Sequence, residues 1–285
     1  MRRVTLALYK SPTENISMTK NIAIFLCDIT GVMAKPWVEA GYEVILVDPQ
    51  HPEGISVEDK VTKIGHVIDH PSTWWYLGMT MKTGKVAFVM GFPPCTDVAV
   101  SGTKHFESKR KKDPHFQAKA ALVAEQCRVV GSLSGAPWAF ENPVSVFSSI
   151  FGKPQHTFHP YEFTEICMND NYTKKTCLWA GSDFSMPATQ IAAPVAKAIK
   201  WAKFKCKGKM PPLAKIRHLF IGRARDFMEE FYPDDRIHKA PPGAERANFR
   251  SATPEGFARA VFLANAPHLK AVANDNNEAK AAEVA

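Results

Sequence analysis

The stretch "NIAIFLCDITGVMAKPWVEAGYEVILVD" (Asn21–Asp48) decides the fold. Its first run, "NIAIFLC" (Asn21–Cys27), is apolar at nearly every position and reads as a buried strand. "AKPWVEAG" (Ala34–Gly41) follows as a short helix ended by Gly41, and "YEVILVD" (Tyr42–Asp48) is a second buried strand. Strands apolar on both faces need cover on both faces, which is the condition of a parallel sheet flanked by helices. Further along, "KVAFVMG" (Lys85–Gly91), "APWAFEN" (Ala136–Asn142) and "KKTCLWAG" (Lys174–Gly181) read as three more strands. "DPHFQAKAALVAEQCRVVGSL" (Asp113–Leu133) reads as a helix, with Asp113 as its cap and Pro114 in its first turn. Phe116, Ala120, Val123, Cys127 and Val130 share its apolar face. The expected fold is α/β, a doubly wound and mostly parallel sheet with a small inserted basic lobe.

The chain divides into five parts on this reading. Residues 1–20 form a flexible arm and residues 21–182 the main α/β domain. Residues 183–243 form the lobe, where lysines and arginines interleave with Trp201, Phe204 and Phe220. Residues 244–267 return as a helix, with Thr253 as cap and Pro254 in the first turn. Its face of Phe257, Val261 and Ala264 packs on the main domain. Residues 268–285 form a polar, disordered tail.

The bulk numbers narrow the function classes. Lys and Arg number 36 against 28 Asp and Glu, a net charge of +8. That balance suits a polyanionic partner, and suits an ordinary basic protein equally well. Six cysteines occur with no CxxC pair, and no secretory signal or bilayer-spanning run is present. A reduced, cytoplasmic setting follows, with no membrane attachment. The Cys and His residues lack zinc-ligand spacing, so no metal site is expected.

Ligands in such sheets bind beyond the carboxyl ends of the strands, and here each end carries something distinctive. The first strand runs into "CDITG" (Cys27–Gly31), a turn suited either to a cofactor's polar groups or simply to tight turning. The second ends in Asp48, a ribose ligand or a local cap. The third ends in "GFPPC" (Gly91–Cys95), where two prolines stiffen the loop that carries Cys95. That thiol is a nucleophile held clear of the core or a structural buried cysteine, and the stiff loop favours the nucleophile. The fourth ends in "FENP" (Phe140–Pro143). If Glu141 is buried, its pKa rises and it can donate a hydrogen bond to a ring nitrogen. The alternative is a solvated Glu beside an Asn-Pro turn. Lys174 and Lys175 open the fifth strand, one directed to the cleft and one away.

In this order the elements resemble the cytosine-5 DNA methyltransferase family. The specific part is "GFPPCTDVAVSG" (Gly91–Gly102) with "FENP" following, Glu141 lying 46 residues after Cys95. "DITGVMAKPWVEAGY", "VDPQHP", "ENPVS", "NDNYTKKTCLW" and "RANFRSATPEGFARA" are similar to phage and prophage members. The resemblance covers about two thirds of the chain and implies a Rossmann-like fold, S-adenosylmethionine as cofactor and double-stranded DNA as substrate. It implies that Cys95 attacks carbon 6 of a flipped cytosine, that Glu141 engages ring nitrogen 3 and that Asn142 supports the loop. Lys174 or Lys175 takes the place of the family's basic strand motif. Asp28, Thr30, Gly31, Asp48, Asp69 and Pro93 stand where the cofactor is held. The sequence departs from the family in four places, the first being "TD" (Thr96–Asp97) after Cys95, where an amide and a hydroxyl are common. Phe25 stands where an acidic residue usually opens the glycine turn. His66 stands where an acidic residue meets the adenine, with Asp69 three positions on. Lysines replace the usual arginines of the basic strand, which turns forked contacts into single-point ones.

DNA contacts are expected from "KRKK" (Lys109, Arg110, Lys111, Lys112), just after the Cys95 loop, and from Lys203 and Lys205 of the lobe. Trp201 and Phe204 are expected chiefly as lobe core. The protein is expected to act as a monomer. Two other readings stay open. One is an enzyme that modifies RNA cytosine or another pyrimidine at carbon 5. The other is a catalytically silent nucleic-acid-binding protein of the same fold.

Overall fold

A computed structural model describes residues 20–181, 183–239 and 246–269. Nearly all of the expected arm and tail lies outside the described residues. The strands are β1 (Ile22–Leu26), β2 (Glu43–Val47), β3 (Ile55–Glu58), β4 (Val61–Ile64), β5 (Val86–Gly91), β6 (Trp138–Pro143), β7 (His156–Phe158) and β8 (Thr176–Gly181). The α-helices are α1 (Lys35–Glu39), α2 (Pro71–Lys82), α3 (Phe106–Lys112), α4 (Phe116–Ser134), α5 (Phe147–Ile150), α6 (Ala193–Lys205), α7 (Leu213–Ile216), α8 (Arg223–Phe231), α9 (Arg236–Lys239), α10 (Arg246–Ser251) and α11 (Glu255–Asn265).

The strands form one sheet in the order β3-β4-β2-β1-β5-β6-β8-β7. β4, β2, β1, β5 and β6 run parallel. β3 pairs antiparallel with β4, and β8 pairs antiparallel with both β6 and β7. The architecture is therefore α/β with a mixed, mostly parallel sheet of Rossmann-like form. β1 lies between β2 and β5, so the chain winds outward from it in both directions. A crevice opens beyond the carboxyl ends of β1 and β5, where such sheets take their ligands.

The alternation of side chains along β1 sorts them into two cores. Ile22, Ile24 and Leu26 join Ala124, Cys127 and Val130 of α4 on one face. Ala23 and Phe25 join Trp37, Tyr42, Phe257 and Val261 on the other. Each large side chain removed from water in this way contributes about 1.5–3 kcal/mol. Trp37 centres the second core, its ring stacked on Phe88 at 4.8 Å and edge-on to Tyr42 at 5.0 Å and Phe262 at 5.1 Å. α4 lies unusually close to the sheet because two contacts are glycines. A Cβ on Gly131 would stand 2.5 Å from Trp138 Cγ, and one on Gly91 would stand 2.6 Å from Cys127 Sγ.

Several local expectations need correction. α4 starts at Phe116, and Asp113 instead accepts from the His115 N–H at 2.9 Å, ahead of the helix. α11 is capped at Pro254 rather than Thr253, and its first turn is fastened by Asp170 Oδ2, which accepts from Gly256 N at 2.6 Å. β3, β4, β7 and α2 were not foreseen. β3 is exposed at all four positions and β7 has three residues, so neither carries a readable apolar period.

The helices between residues 193 and 239 carry a separate small core of Ala198, Ala202, Ile216, Phe220, Met228 and Tyr232. Trp201 packs partly against it, 5.2 Å from Phe227. Phe204 does not: it is 83% exposed, contrary to the core role expected of it. Among the described residues, no helix is long and apolar enough to cross a membrane.

Candidate active site

The turn after β1 is built around Asp28. Its Oδ1 accepts from Thr30 N and Thr30 Oγ1, both at 3.0 Å, and from Gly31 N at 2.8 Å. Gly31 turns the chain at φ 65°, and Cys27 also holds a positive φ, 58°. The Asp28 carbonyl accepts from His51 Nε2 at 3.0 Å. Asp28 Oδ2 is buried and has no partner among the described residues. Burial pushes the Asp28 carboxyl above the ordinary range, against the pull of its three donors. Thr30 and Gly31 thus spend their polar groups on Asp28. From this turn, Cys27 and Ile29 wall the neighbouring cavity, while Asp28, Thr30 and Gly31 stand behind them.

Two cavities meet around that turn. One of 630 Å³ is bounded by Cys27, Ile29, Asp48, Gln50, Phe92 and Cys95. One of 330 Å³ is bounded by Asp48, His66, Asp69 and Pro94. Asp48, at the end of β2, belongs to both and spends Oδ1 on the Gln50 N–H at 2.8 Å. Asp69 is exposed on the rim of the smaller one.

A third cavity, of 450 Å³, lies on the other side of the Cys95 loop. Cys95, Glu141, Asn142, Lys174, Lys175 and Arg250 all line it. Cys95 and Arg250 also line the 630 Å³ cavity, so the thiol stands where the two spaces adjoin. Pro93 faces the 450 Å³ side only. Phe92, Pro94 and Cys95 of this loop line both.

The loop is held from two directions. Asn142 Nδ2 donates to Pro93 O at 2.9 Å in a buried bond across 49 residues of chain. Cys95 O accepts from Val98 N at 3.2 Å and Ala99 N at 2.9 Å, forming a tight turn behind the thiol. The chain then pairs with the segment after β6, through Val100 N to Val144 O at 2.9 Å and Val146 N to Val98 O at 3.0 Å. The prolines restrict φ and these bonds fix the rest, so "PPC" and "ENP" form one rigid unit.

The charges in the 450 Å³ cavity oppose one another. Burial pushes Glu141 above the ordinary carboxylate range, while nearby Lys174 pulls it back. Burial also pushes the Cys95 thiol up, Glu141 adds to this, and Lys174 and Arg250 act against it. Lys174 is buried and Lys175 is exposed, yet both reach the cavity wall, so the expected division between them is one of depth. Burial, and then Lys175, push the His159 pKa below the ordinary imidazole range, and its Nδ1 is buried with no partner among the described residues. Sequence reasoning missed His159 and Arg250. Arg250 lies inside "RANFRSATPEGFARA", so its segment was visible and its direction was not.

The expected DNA-contacting cations divide. Lys109 Nζ donates to Asp97 Oδ1 at 2.6 Å and to Thr96 O at 2.9 Å, so it braces the Cys95 loop rather than standing ready for phosphate. Arg110 pairs with Glu107 at 3.3 Å, while Lys111 and Lys112 are exposed on α3. Lys203 and Lys205 are exposed on the last turn of α6. Among the described residues, no group of three or more His, Cys, Asp or Glu is placed to hold a metal ion.

No protein-family model matches this chain, and no curated protein matches it.

Proposed function

We propose that the protein is a DNA cytosine-5 methyltransferase. One observation carries the reading. Cys95, Glu141 and Lys174 converge on a 450 Å³ cavity that adjoins, at the thiol, a second cavity edged by Asp48. A cytosine can reach such a cavity only if it leaves the stack, since its ring carbons are inaccessible in a duplex.

The residues present fit S-adenosylmethionine at the nucleoside end. Asp48 offers a carboxylate for ribose hydroxyls at the end of β2, on the wall of the 630 Å³ cavity. When bound, the cofactor supplies an electrophilic methyl group to carbon 5 of the base. Cys95 Sγ forms a bond to carbon 6. Lys174 and Arg250 favour the thiolate that this attack needs. A protonated Glu141 assists twice: it donates to ring nitrogen 3, and it no longer repels the thiolate as a carboxylate would. Asn142 keeps Pro93 and hence Cys95 in place. Removal of the carbon 5 proton then lets the carbon–sulfur bond break and returns the thiol.

The test is a covalent adduct with duplex DNA carrying 5-fluorocytosine, which traps the enzyme because fluorine cannot leave as a proton. The adduct is expected with wild type in the presence of S-adenosylmethionine and not with Cys95→Ser. Failure to form it on any DNA sequence refutes the assignment. An adduct only on RNA moves it to RNA cytosine, and DNA binding with no adduct on any DNA or RNA points to a silent binder.

A further inference from the structure

Between Ala193 and Arg225 the chain carries seven lysines and three arginines and no acidic residue. This run builds α6, α7 and the start of α8 around the small core. The inner face of α6 is apolar: Val195, Ala198, Ile199 and Ala202 are buried. Its last turn ends outward on Lys203, Phe204 and Lys205, all exposed, with Phe204 at 83%. A phenylalanine exposed to that extent between two lysines serves no packing purpose in the described structure. Keeping its ring in water forgoes the stabilisation that burial would give it.

The position of this tip relative to the catalytic cavity is set by direct contacts. His159 and Ile237 both line the cavity wall. His159 stacks on Tyr161 at 5.3 Å, and the Tyr161 hydroxyl reaches Met210 Sδ, beside the small core, at 3.9 Å. Thr164 Oγ1 accepts from Ala192 N at 3.1 Å, which fastens the start of α6 to the same segment. Thr173, next to Lys174, donates to Asp234 O twice, from its N–H at 2.8 Å and from its Oγ1 at 3.1 Å. Lys203 lies within electrostatic reach of Glu162, between these anchors. The helical lobe is thus fixed to the rim of the cavity that would receive a flipped base.

We infer that this lobe grips duplex DNA through its acid-free cationic run and that Phe204 inserts against the base stack as an apolar wedge. The lysines neutralise phosphates on either side, and the ring stacks on a base exposed when its neighbour leaves the helix. Charge selects the partner: Arg217 is paired with Glu229 and Lys203 lies near Glu162, but lysines outnumber these acids along the run, and such a surface repels a basic protein face and attracts a polyphosphate. The inference rests on the proposed function only for the identity of the flipped base; the duplex contact stands without it.

The experiment uses full-length Cys95→Ser protein, so that no turnover is needed, and a fluorescent duplex carrying 2-aminopurine next to a cytosine. Phe204→Ala is expected to bind about tenfold more weakly and to lose the fluorescence rise that marks unstacking, with the salt dependence of binding unchanged. Phe204→Trp is expected to restore both, since it keeps a stacking face. Lys203→Gln with Lys205→Gln is expected to lower the salt slope by about 0.9 per lost phosphate contact. The inference fails if Phe204→Ala binds and unstacks the duplex like its parent, or if the variant alters only self-association in sedimentation. If wild type forms no 5-fluorocytosine adduct while Phe204→Ala still weakens duplex binding, the proposed function falls and this inference stands.

Discussion

Asn142→Ala separates the role of the loop from the role of the nucleophile. Asn142 is 1% exposed, and its Nδ2 donates to Pro93 O at 2.9 Å. Alanine leaves that carbonyl buried without a donor, a loss of about 1–3 kcal/mol. Asn142 Oδ1, however, is itself buried with no partner among the described residues, and alanine removes that unfavourable group as well. The net cost therefore falls near the low end, at about 1 kcal/mol. For a chain of this size that is a drop in Tm of about 2–4 °C. Catalysis should suffer far more than stability. Loosening Pro93 displaces the adjoining Cys95 loop, and a misplacement of about 1 Å costs on the order of 100-fold in rate. The assay pairs calorimetry with single-turnover adduct formation on 5-fluorocytosine duplex. The expected result is a slow adduct on a protein nearly as stable as wild type. A wild-type adduct rate would show that Pro93 and Cys95 are held by the prolines and the Val98–Val146 pairing alone, and would refute the reasoning.

Other expectations follow from single contacts. Glu141→Gln should abolish adduct formation yet gain stability over wild type as pH rises. The folded Glu141 pKa lies above its ordinary 4.5, so its contribution to stability is complete below 4.5 and is lost as pH climbs through the folded value; melting curves across pH that stay parallel would contradict this. Arg250→Ala removes a cation that favours the Cys95 thiolate, so the alkaline rise of thiol alkylation by iodoacetamide should move to higher pH; an unmoved profile would exclude the coupling. Gly131→Ala puts a methyl 2.5 Å from Trp138 Cγ and should cost about 1–3 kcal/mol by overpacking, read as a lower urea midpoint at unchanged slope. Asp170→Ala leaves the Gly256 N–H at the start of α11 without its acceptor and should cost about 1 kcal/mol in the same assay.

The two halves of the site were legible to different degrees. Cys95 lies on the loop that leaves β5 and Glu141 near the carboxyl end of the adjacent parallel β6, so identifying β5 and β6 was enough to bring them together. Asp48 was legible in the same way, from the end of β2. Arg250, His159 and Ile237 were not, because their route to the cavity runs through irregular segments and short helices with no period to read. Thr30 and Gly31 carry a different ambiguity. Their residue types suit ligand binding and turn closure alike, and Asp28 claims both for the turn. Lys109 was misread because its partner, Asp97, lies twelve residues away on a loop that folds back.

Composition and periodicity by themselves determined the buried strands, the α4 face and the positions where each strand must stop. These are local matters: which side chains avoid water, and which residues block a ladder. Tertiary structure alone decided that β8 runs antiparallel, that Phe204 points into solvent rather than into the lobe core, and that Cys95 shares one cavity with Glu141 and another with Asp48. Those outcomes depend on which distant surfaces compete for the same space. A side chain's own chemistry names what it can do, and the packing around it selects which of those things it does.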